Sequence, residues 1–509
     1  MPVADSRPPV DANLFALFRA GFPRDAAAPL VELDDGRVCT YGDLERCSAR
    51  YGRVLAALGA RKGERVVAQV EKSPEALFLY LAALRIGAVY VPLNPAYTPA
   101  EVDYFLRDAE PRVVVCRPDD EPRLRALGLC SVLTLGADGR GSLIDRSAAE
   151  PEDLPPSHVA ADDLAAILYT SGTTGRSKGA MLTHGNLAAN AVALRRLWEF
   201  GPNDVLLHAL PIFHAHGLFV AIHCTLLAGA RMLFLPRFDA AAVMRLLPRA
   251  TVLMGVPTFY TRLLREPLTA SACARMRVFI SGSAPLLAET HRQFRSRTGH
   301  AILERYGMTE TGMNTSNPLH GERVPGSVGP PLPDVEIRIA DADGREVERG
   351  DVGVLEVRGP NVFRGYWRMP DKTRAELRDD GFFVTGDVAR IDERGYVYLV
   401  GRAKELIISG GLNVYPKEVE TVVDRLAGVA ESAVVGVPHP DFGEAVIAVV
   451  QREPDRADVT EAAIVEAARA ELAGYKAPKR VFFVDELPRN AMGKVQKNLL
   501  QESYRHTFE

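Results

Sequence analysis

The sequence predicts an α/β protein: a large N-terminal domain of layered α/β sheets extended by a β-rich subdomain, then a small α+β domain at the C-terminus. Three observations predict it. Helix-length stretches alternate with short Val/Ile/Leu runs in the first part of the chain, the pattern of layered, largely parallel sheets. After Pro318 the texture changes to brief strands separated by Asp-Gly and Arg-Gly turns. From about Lys404 a separate apolar pattern begins, which divides the chain into residues 1–403 and 404–509.

The short apolar runs are "RVVAQV", "AVYVPL", "RVVVC", "AAILYT", "VLLHALPIF", "RMLFL", "TVLMGVP" and "RVFISGSAP", each of strand length. The most apolar stretch, Ala76 to Pro95, is interrupted by Arg85 and Gly87 and changes from Leu/Ala to Val/Tyr. That change predicts a buried helix capped at Gly87 and then a strand, and excludes a membrane span. Residues 137–163, rich in Gly, Ser, Pro and acids, read as a surface connection. The β-rich part carries "VEIRIAD", "GVLEVRG" and "GYVYLVGR". In the last part, "LIISGGLNVYPKEVETVVDRL" and "VAESAVVGVPHPDFGEAVIAVV" predict one strand pair with helices at its sides.

Composition narrows the function. The chain has 509 residues, 47% hydrophobic and 25% charged, enough for several domains of ordinary globular character. A net charge of -4 gives no electrostatic reason to expect nucleic acid. Six cysteines with no C-x-x-C spacing read as free thiols in a reducing compartment such as the cytoplasm. The N-terminus meets Asp5, Arg7 and two prolines early, so no secretory signal is expected.

"YTSGTTGRSKG", Tyr169 to Gly179, is the first chemically suggestive stretch. It fails the Walker pattern, because Arg176 and Ser177 separate Gly175 from Lys178 and Gly179 follows the lysine. Its glycines can still turn successive N–H groups into one concavity, with hydroxyls and a lysine added. On its own it fits either a phosphate cradle or a flexible Ser/Gly turn. A second basic, Gly-containing loop, "PRNAMGKVQKN", lies at Pro488 to Asn498.

Taken in order, "YTSGTTGRSKGAMLTHGN", "SGSAPL", "RYGMTET", "GYW", "TGD", "GRAKELIISGGLNVYPKEVE" and "PRNAMGKVQK" resemble the AMP-forming acyl-CoA synthetases of the adenylate-forming superfamily. "PIFHAHGLF", "VLMGVPTFYTRLL" and "ISGSAPLLAETHR" are most similar to the malonyl-CoA synthetases within it. The resemblance implies the adenylate-forming fold with a mobile small domain, and ATP, Mg2+ and coenzyme A as cofactors. A carboxylate attacks the α-phosphorus of ATP to give an acyl adenylate, and the coenzyme A thiol then displaces AMP.

The resemblance also assigns residues. Thr170, Ser171, Gly172, Thr173, Thr174, Gly175 and Lys178 match the triphosphate loop. Glu310 matches the magnesium-binding glutamate and Thr309 the phosphate-contacting threonine. Ser283, Ala284, Pro285, Tyr306, Gly307 and Met308 match the adenine site, and Asp387 with Arg402 the ribose site. Lys404 falls at the hinge. Lys494 matches the lysine that reaches the carboxylate and α-phosphate during adenylation, and Gly410 with Gly411 the face that lines the pantetheine channel after the small domain rotates. His214 and Ser283 match the acyl site, and Arg292 the arginine that binds the distal carboxylate of malonate. "PRNAMGK" further resembles a lysine-acetylation site, which implies a protein acetyltransferase acting on Lys494 as a partner. A ligase for a monocarboxylic fatty or aryl acid and a carrier-loading adenylation module stay as alternatives, the second weighed against by Lys494 and Glu310.

Overall fold

The structure is a computed structural model that describes residues 11–170, 177–341, 343–454, 456, 458–490 and 493–508. Helix Pro74–Arg85 shows how local sequence sets an element. Ser73 accepts a hydrogen bond from the Ala76 amide at its start, and proline occupies its first position. Gly87, at φ +71°, stops it, and strand Val89–Pro92 follows. Every residue of this helix that borders the core is buried, Arg85 included at 2% exposure. The Arg85 guanidinium survives there because it donates to the Glu45 carbonyl, the Ser48 hydroxyl and the Leu154 carbonyl.

Two large sheets form the N-terminal part. One runs Gly365–Tyr366, Lys178–Thr183, Leu164–Thr170, Val89–Pro92, Arg65–Gln69, Val113–Cys116 and Ser131–Thr134, parallel from Leu164–Thr170 onward. The other runs Gly312–Ser316, Leu303–Met308, Val278–Ser281, Val252–Gly255, Val205–His208, Arg231–Phe234, Pro29–Leu33 and Val38–Thr40, with its central strands parallel. Helices between them close one continuous core. Strands Glu336–Ala340, Gly353–Arg358, Phe383–Ile391 and Val397–Arg402 then make an antiparallel four-stranded sheet.

Sheet membership changes between Arg402 and Ile407. The last part has a five-stranded sheet, where the sequence had suggested a single strand pair; Leu412–Val414, Ile407–Ser409 and Arg480–Val484 extend Val429–His439 and Gly443–Arg452. The two long strands are apolar on both faces. Val434, Val446, Ala448 and Val450 pack with one side's helices, and Val435, Val437, Ile447 and Val449 with Leu487 and Leu500 on the other. Residues 137–163 also differ from the sequence expectation. They contain helix Ser142–Ser147, whose Leu143 is fully buried, a segment too short to show helical periodicity. Among the described residues no helix is long and apolar enough to cross a membrane.

Candidate active site

Four parallel strands, Val205–His208, Val252–Gly255, Val278–Ser281 and Leu303–Met308, end on the same edge of the second sheet. In open α/β sheets that carboxyl edge is where ligands bind. It gathers the sequence-predicted residues Ser283, Ala284, Pro285, Tyr306, Gly307, Met308, Thr309 and Glu310 by topology. Ser283 holds φ +72°, a strained value for a residue with a side chain. The buried Glu304 pins the same turn by accepting from the Leu286 amide at 3.1 Å. Burial raises the Glu304 carboxyl to about 8. Gly307 lies where a Cβ would stand 2.0 Å from the Gly312 carbonyl oxygen, so the hairpin into Gly312–Ser316 requires glycine.

Tyr306 joins this edge to the four-stranded sheet. Its hydroxyl donates to one Asp387 oxygen, while Arg402 Nε sits 2.9 Å from the other. Asp387 and Arg402 are direct cross-strand partners, so the sheet register itself sets the pair. The Asp387 charge, the largest influence, raises the Arg402 pKa.

Strands Leu164–Thr170 and Lys178–Thr183 are antiparallel, with Thr170 opposite Lys178. Ser171, Gly172, Thr173, Thr174 and Gly175, predicted to hold triphosphate, lie outside the described residues. Lys178 is buried to 9% exposure, 4.2 Å above the Tyr366 ring and 3.7 Å from Glu376. The Tyr366 hydroxyl lies 3.0 Å from Glu310 and 2.7 Å from Glu376. Glu310 is buried at 5% exposure, and burial raises its pKa. Among the described residues no group of three or more His, Cys, Asp or Glu is arranged to hold a metal ion. A magnesium ion, which takes one or two carboxylates and otherwise phosphate and water oxygens, fits the buried Glu310, with Glu376 across the shared Tyr366 hydroxyl.

His214 and His216 follow the end of strand Val205–His208 and enter a π-helical stretch, His216–Ile222. Gly217 is needed there, since a Cβ would stand 2.0 Å from the Pro211 carbonyl oxygen. Ser283 Oγ lies 3.2 Å from His216 Nδ1. Burial, and then the charge of Arg305, brings His214 down to about 4 and His216 well below the usual range, so both rings are neutral near pH 7.

Lys494 reaches this group from the C-terminal part. Gly493, at φ +73°, packs against Thr258. Burial, with Arg402 next, brings the Lys494 ammonium down to about 8. Lys404 sits in the turn Ala403–Glu405, where partial desolvation and then the Arg402 charge lower its pKa. Gly410 and Gly411 form an exposed hairpin turn at φ +60° and +79°, beside the exposed side chains of Ile408, Leu412 and Phe442.

Arg292 is not brought into the site, contrary to the expectation from its motif. Its side chain is 57% exposed and paired with Glu289 at 2.8 Å on the outer face of helix Ala288–Thr298, whose buried positions are Thr290, His291, Phe294 and Thr298. His216, Glu304, Arg305, Tyr366 and Glu376 carried no prediction. For His216 and Tyr366 the signal stood in the quoted motifs "FHAHG" and "GYW"; for Glu304 and Arg305 only the strand alternation around Tyr306 separated the two faces.

Residues 18–367 match the AMP-binding enzyme family and residues 418–494 its C-terminal domain. A feruloyl-CoA synthase of Amycolatopsis sp is 38% identical over 475 residues, 92% of this chain and 94% of that protein. A mitochondrial malonate–CoA ligase of Mus musculus is 38% identical over 463 residues, 82% of this chain and 78% of that protein. The ATP-bound crystal structure of MatB from Rhodopseudomonas palustris is 56% identical, covers 98% of this chain and 100% of its own, and superposes with a TM-score of 0.96. The apo structure of the same protein gives 0.85.

Proposed function

The chain belongs to the AMP-binding enzyme family and is an acyl-CoA ligase; from that premise we propose that its acyl substrate is malonate. Malonate would be joined to coenzyme A through an acyl adenylate, with release of pyrophosphate and AMP. One observation carries the proposal. The wall beside Ser283 is polar, with His216 bonded to Ser283 and His214 two residues away. An acyl site for a fatty or aryl acid gains its energy from apolar burial, and a second carboxylate gains it from donors. The malonate–CoA ligase relative supports the same reading. The feruloyl-CoA synthase relative favours a monocarboxylic aryl acid instead.

The residues divide the work of the first step. As the bond to pyrophosphate breaks, negative charge collects on the phosphates, and fixed cations stabilise it. Lys178, 3.7 Å from Glu376, would face the triphosphate. Lys494 stands near Arg402 and Asp387, placed to bridge the attacking carboxylate and the α-phosphate. Asp387 accepts from the ribose hydroxyls, held by Arg402 and Tyr306. Glu310 would hold magnesium, which supplies charge neutralisation on the phosphates when bound. The better superposition on the ATP-bound than on the apo relative supports an adenylating arrangement of the two parts. Thioester formation then needs another surface. The exposed turn at Gly410 and Gly411, rimmed by Ile408, Leu412 and Phe442, suits the thin pantetheine chain once the small domain turns about Lys404.

Malonate, methylmalonate, butyrate and ferulate, each supplied with ATP and coenzyme A, test the proposal by AMP release. Malonate should give the highest catalytic efficiency. Preference for ferulate or butyrate would overturn it.

A further inference from the structure

Helix Pro99–Ala109 shares one apolar cluster with the two strands that carry Thr170 and Lys178, packing Val102, Phe105, Leu106 and Ala109 with Ile167, Tyr169 and Met181. Its start is set by sequence: Thr98 and Glu101 cap it reciprocally, and proline holds the first position. Tyr104 and Asp108, four residues apart, stand on one side of it. Each takes hold of one strand next to a residue assigned to the triphosphate. The Tyr104 hydroxyl donates to the Ser177 carbonyl at 2.9 Å, directly before Lys178. The Tyr169 hydroxyl donates to Asp108 Oδ2 at 2.5 Å, directly before Thr170. Burial first, and then this hydrogen bond, raise the Tyr169 phenol well above its usual range, so it keeps its proton and stays a donor. Its ring lies 4.5 Å from that of Phe105.

A third attachment comes from residues 365–368. Trp367 Nε1 donates to the Asp108 carbonyl at 2.9 Å, and the Trp367 amide donates to the Gly179 carbonyl at 2.8 Å. Tyr366, whose ring Lys178 overlies, is thereby tied to the same helix end. Arg368 pairs with Glu110 at 2.6 Å, and the two hold left-handed backbone angles, φ +56° and +45°. Residues with side chains keep such angles only where their surroundings over-determine them. Arg65 donates to the Ala109 and Glu110 carbonyls and so satisfies the last turn of the helix.

We infer that Tyr104 and Asp108 are positioning residues for the ATP step, acting through Ser177 and Tyr169. They set the separation of Thr170 and Lys178 before nucleotide arrives, so that donor and ammonium meet the triphosphate without reorganising. This rests on the triphosphate reading of Lys178 given above.

The test measures the KM for ATP, the KM for malonate, the calorimetric affinity for ATP and the melting temperature in the wild type and in single and paired variants. Tyr169→Phe and Asp108→Ala remove the same bond, and each should weaken ATP by roughly tenfold, the effect of one hydrogen bond to a charged group. Their combination should be no worse than either alone, because the two groups act as one. Tyr104→Phe should weaken ATP by roughly three- to tenfold, and paired with Asp108→Ala the two factors should multiply. Asp108→Asn keeps an acceptor oxygen and should recover most of the loss. The KM for malonate and single-turnover thioester formation from supplied acyl adenylate should not change. Val102→Ala loosens the same helix from its core side, and should lower the melting temperature with the KM for ATP unchanged. If Val102→Ala weakens ATP as much, or if the Tyr104 and Asp108 variants lower the melting temperature while ATP affinity holds, both residues are structural and the positioning role is overturned. Lys178→Met separates this from the reading it rests on. Undiminished ATP affinity in Lys178→Met would sink the triphosphate reading; weakened affinity there, with none in the Tyr104 and Asp108 variants, would keep that reading and remove the role of the helix.

Discussion

Gly493 packs against Thr258, so close that a Cβ added to the glycine would stand 3.1 Å from the threonine hydroxyl oxygen. Gly493 belongs to the C-terminal part and precedes Lys494, while Thr258 lies in the first turn of helix Pro257–Leu263 of the large domain. The lysine is therefore delivered by a close backbone approach. Gly493→Ala crowds that contact and strains a left-handed residue, at about 1–2 kcal/mol, so adenylation should slow by roughly tenfold. Pyrophosphate release measures this step. Single-turnover thioester formation from supplied malonyl adenylate should change little, and equal losses in both would remove the docking role of the glycine.

Lys494→Ala should show the same division on a larger scale. Its pKa near 8 adds a signature in the unmutated enzyme. The ammonium is charged below that value and neutral above it, so adenylation falls as pH rises through about 8, approaching tenfold per unit. Thioester formation lacks this fall. Acetylation of Lys494 removes the charge at every pH and should abolish pyrophosphate release; full activity in stoichiometrically acetylated protein would contradict the assignment.

Asp387→Asn tests the ribose site. It removes the anion that Arg402 and Tyr306 both address, and the loss of charged hydrogen bonds should raise the KM for ATP by about 10- to 100-fold. The KM for malonate should move much less. A uniform fall in kcat with an unchanged KM for ATP would place Asp387 in a structural role.

Glu304 gives a stability test. Its carboxyl rises from 4.5 in the unfolded chain to about 8 in the fold, so the native state binds the extra proton between those values. Stability therefore falls as pH rises through this window, by at most about 1.4 kcal/mol per unit, and levels above it. Glu304→Gln has no proton to lose. Its melting temperature should gain on the wild type steadily from pH 5 to pH 8; parallel curves would show that Glu304 stays ionised.

Much of this molecule was legible in the sequence, and the parts that were not have physical reasons. Strand Leu164–Thr170 was read from its apolar run, and the helix ending before Gly87 from its composition. Two separate motifs assigned Asp387 and Arg402 to one ribose site, and the register of their strands supplies the contact between them that neither motif contains. Arg292 and Arg305 show the limit. Both lie beside strong motifs, but which arginine turns inward depends on helix phase in one case and strand alternation in the other, read against neighbours distant in sequence. Glu304 was silent for the same reason, because its burial comes from the turn at Leu286 that closes over it.

The small domain's sheet is sealed on both faces by its own helices, and this separates two kinds of damage. A truncation that removed Leu500 and Tyr504 would uncover Val435, Val437 and Val449, yet the core shared by the two large sheets contains none of these residues. Bulk spectroscopy, dominated by the larger body, would report a nearly native protein. The same sample would turn over no substrate, because the lysine at 494 would have lost the platform that carries it across to Thr258.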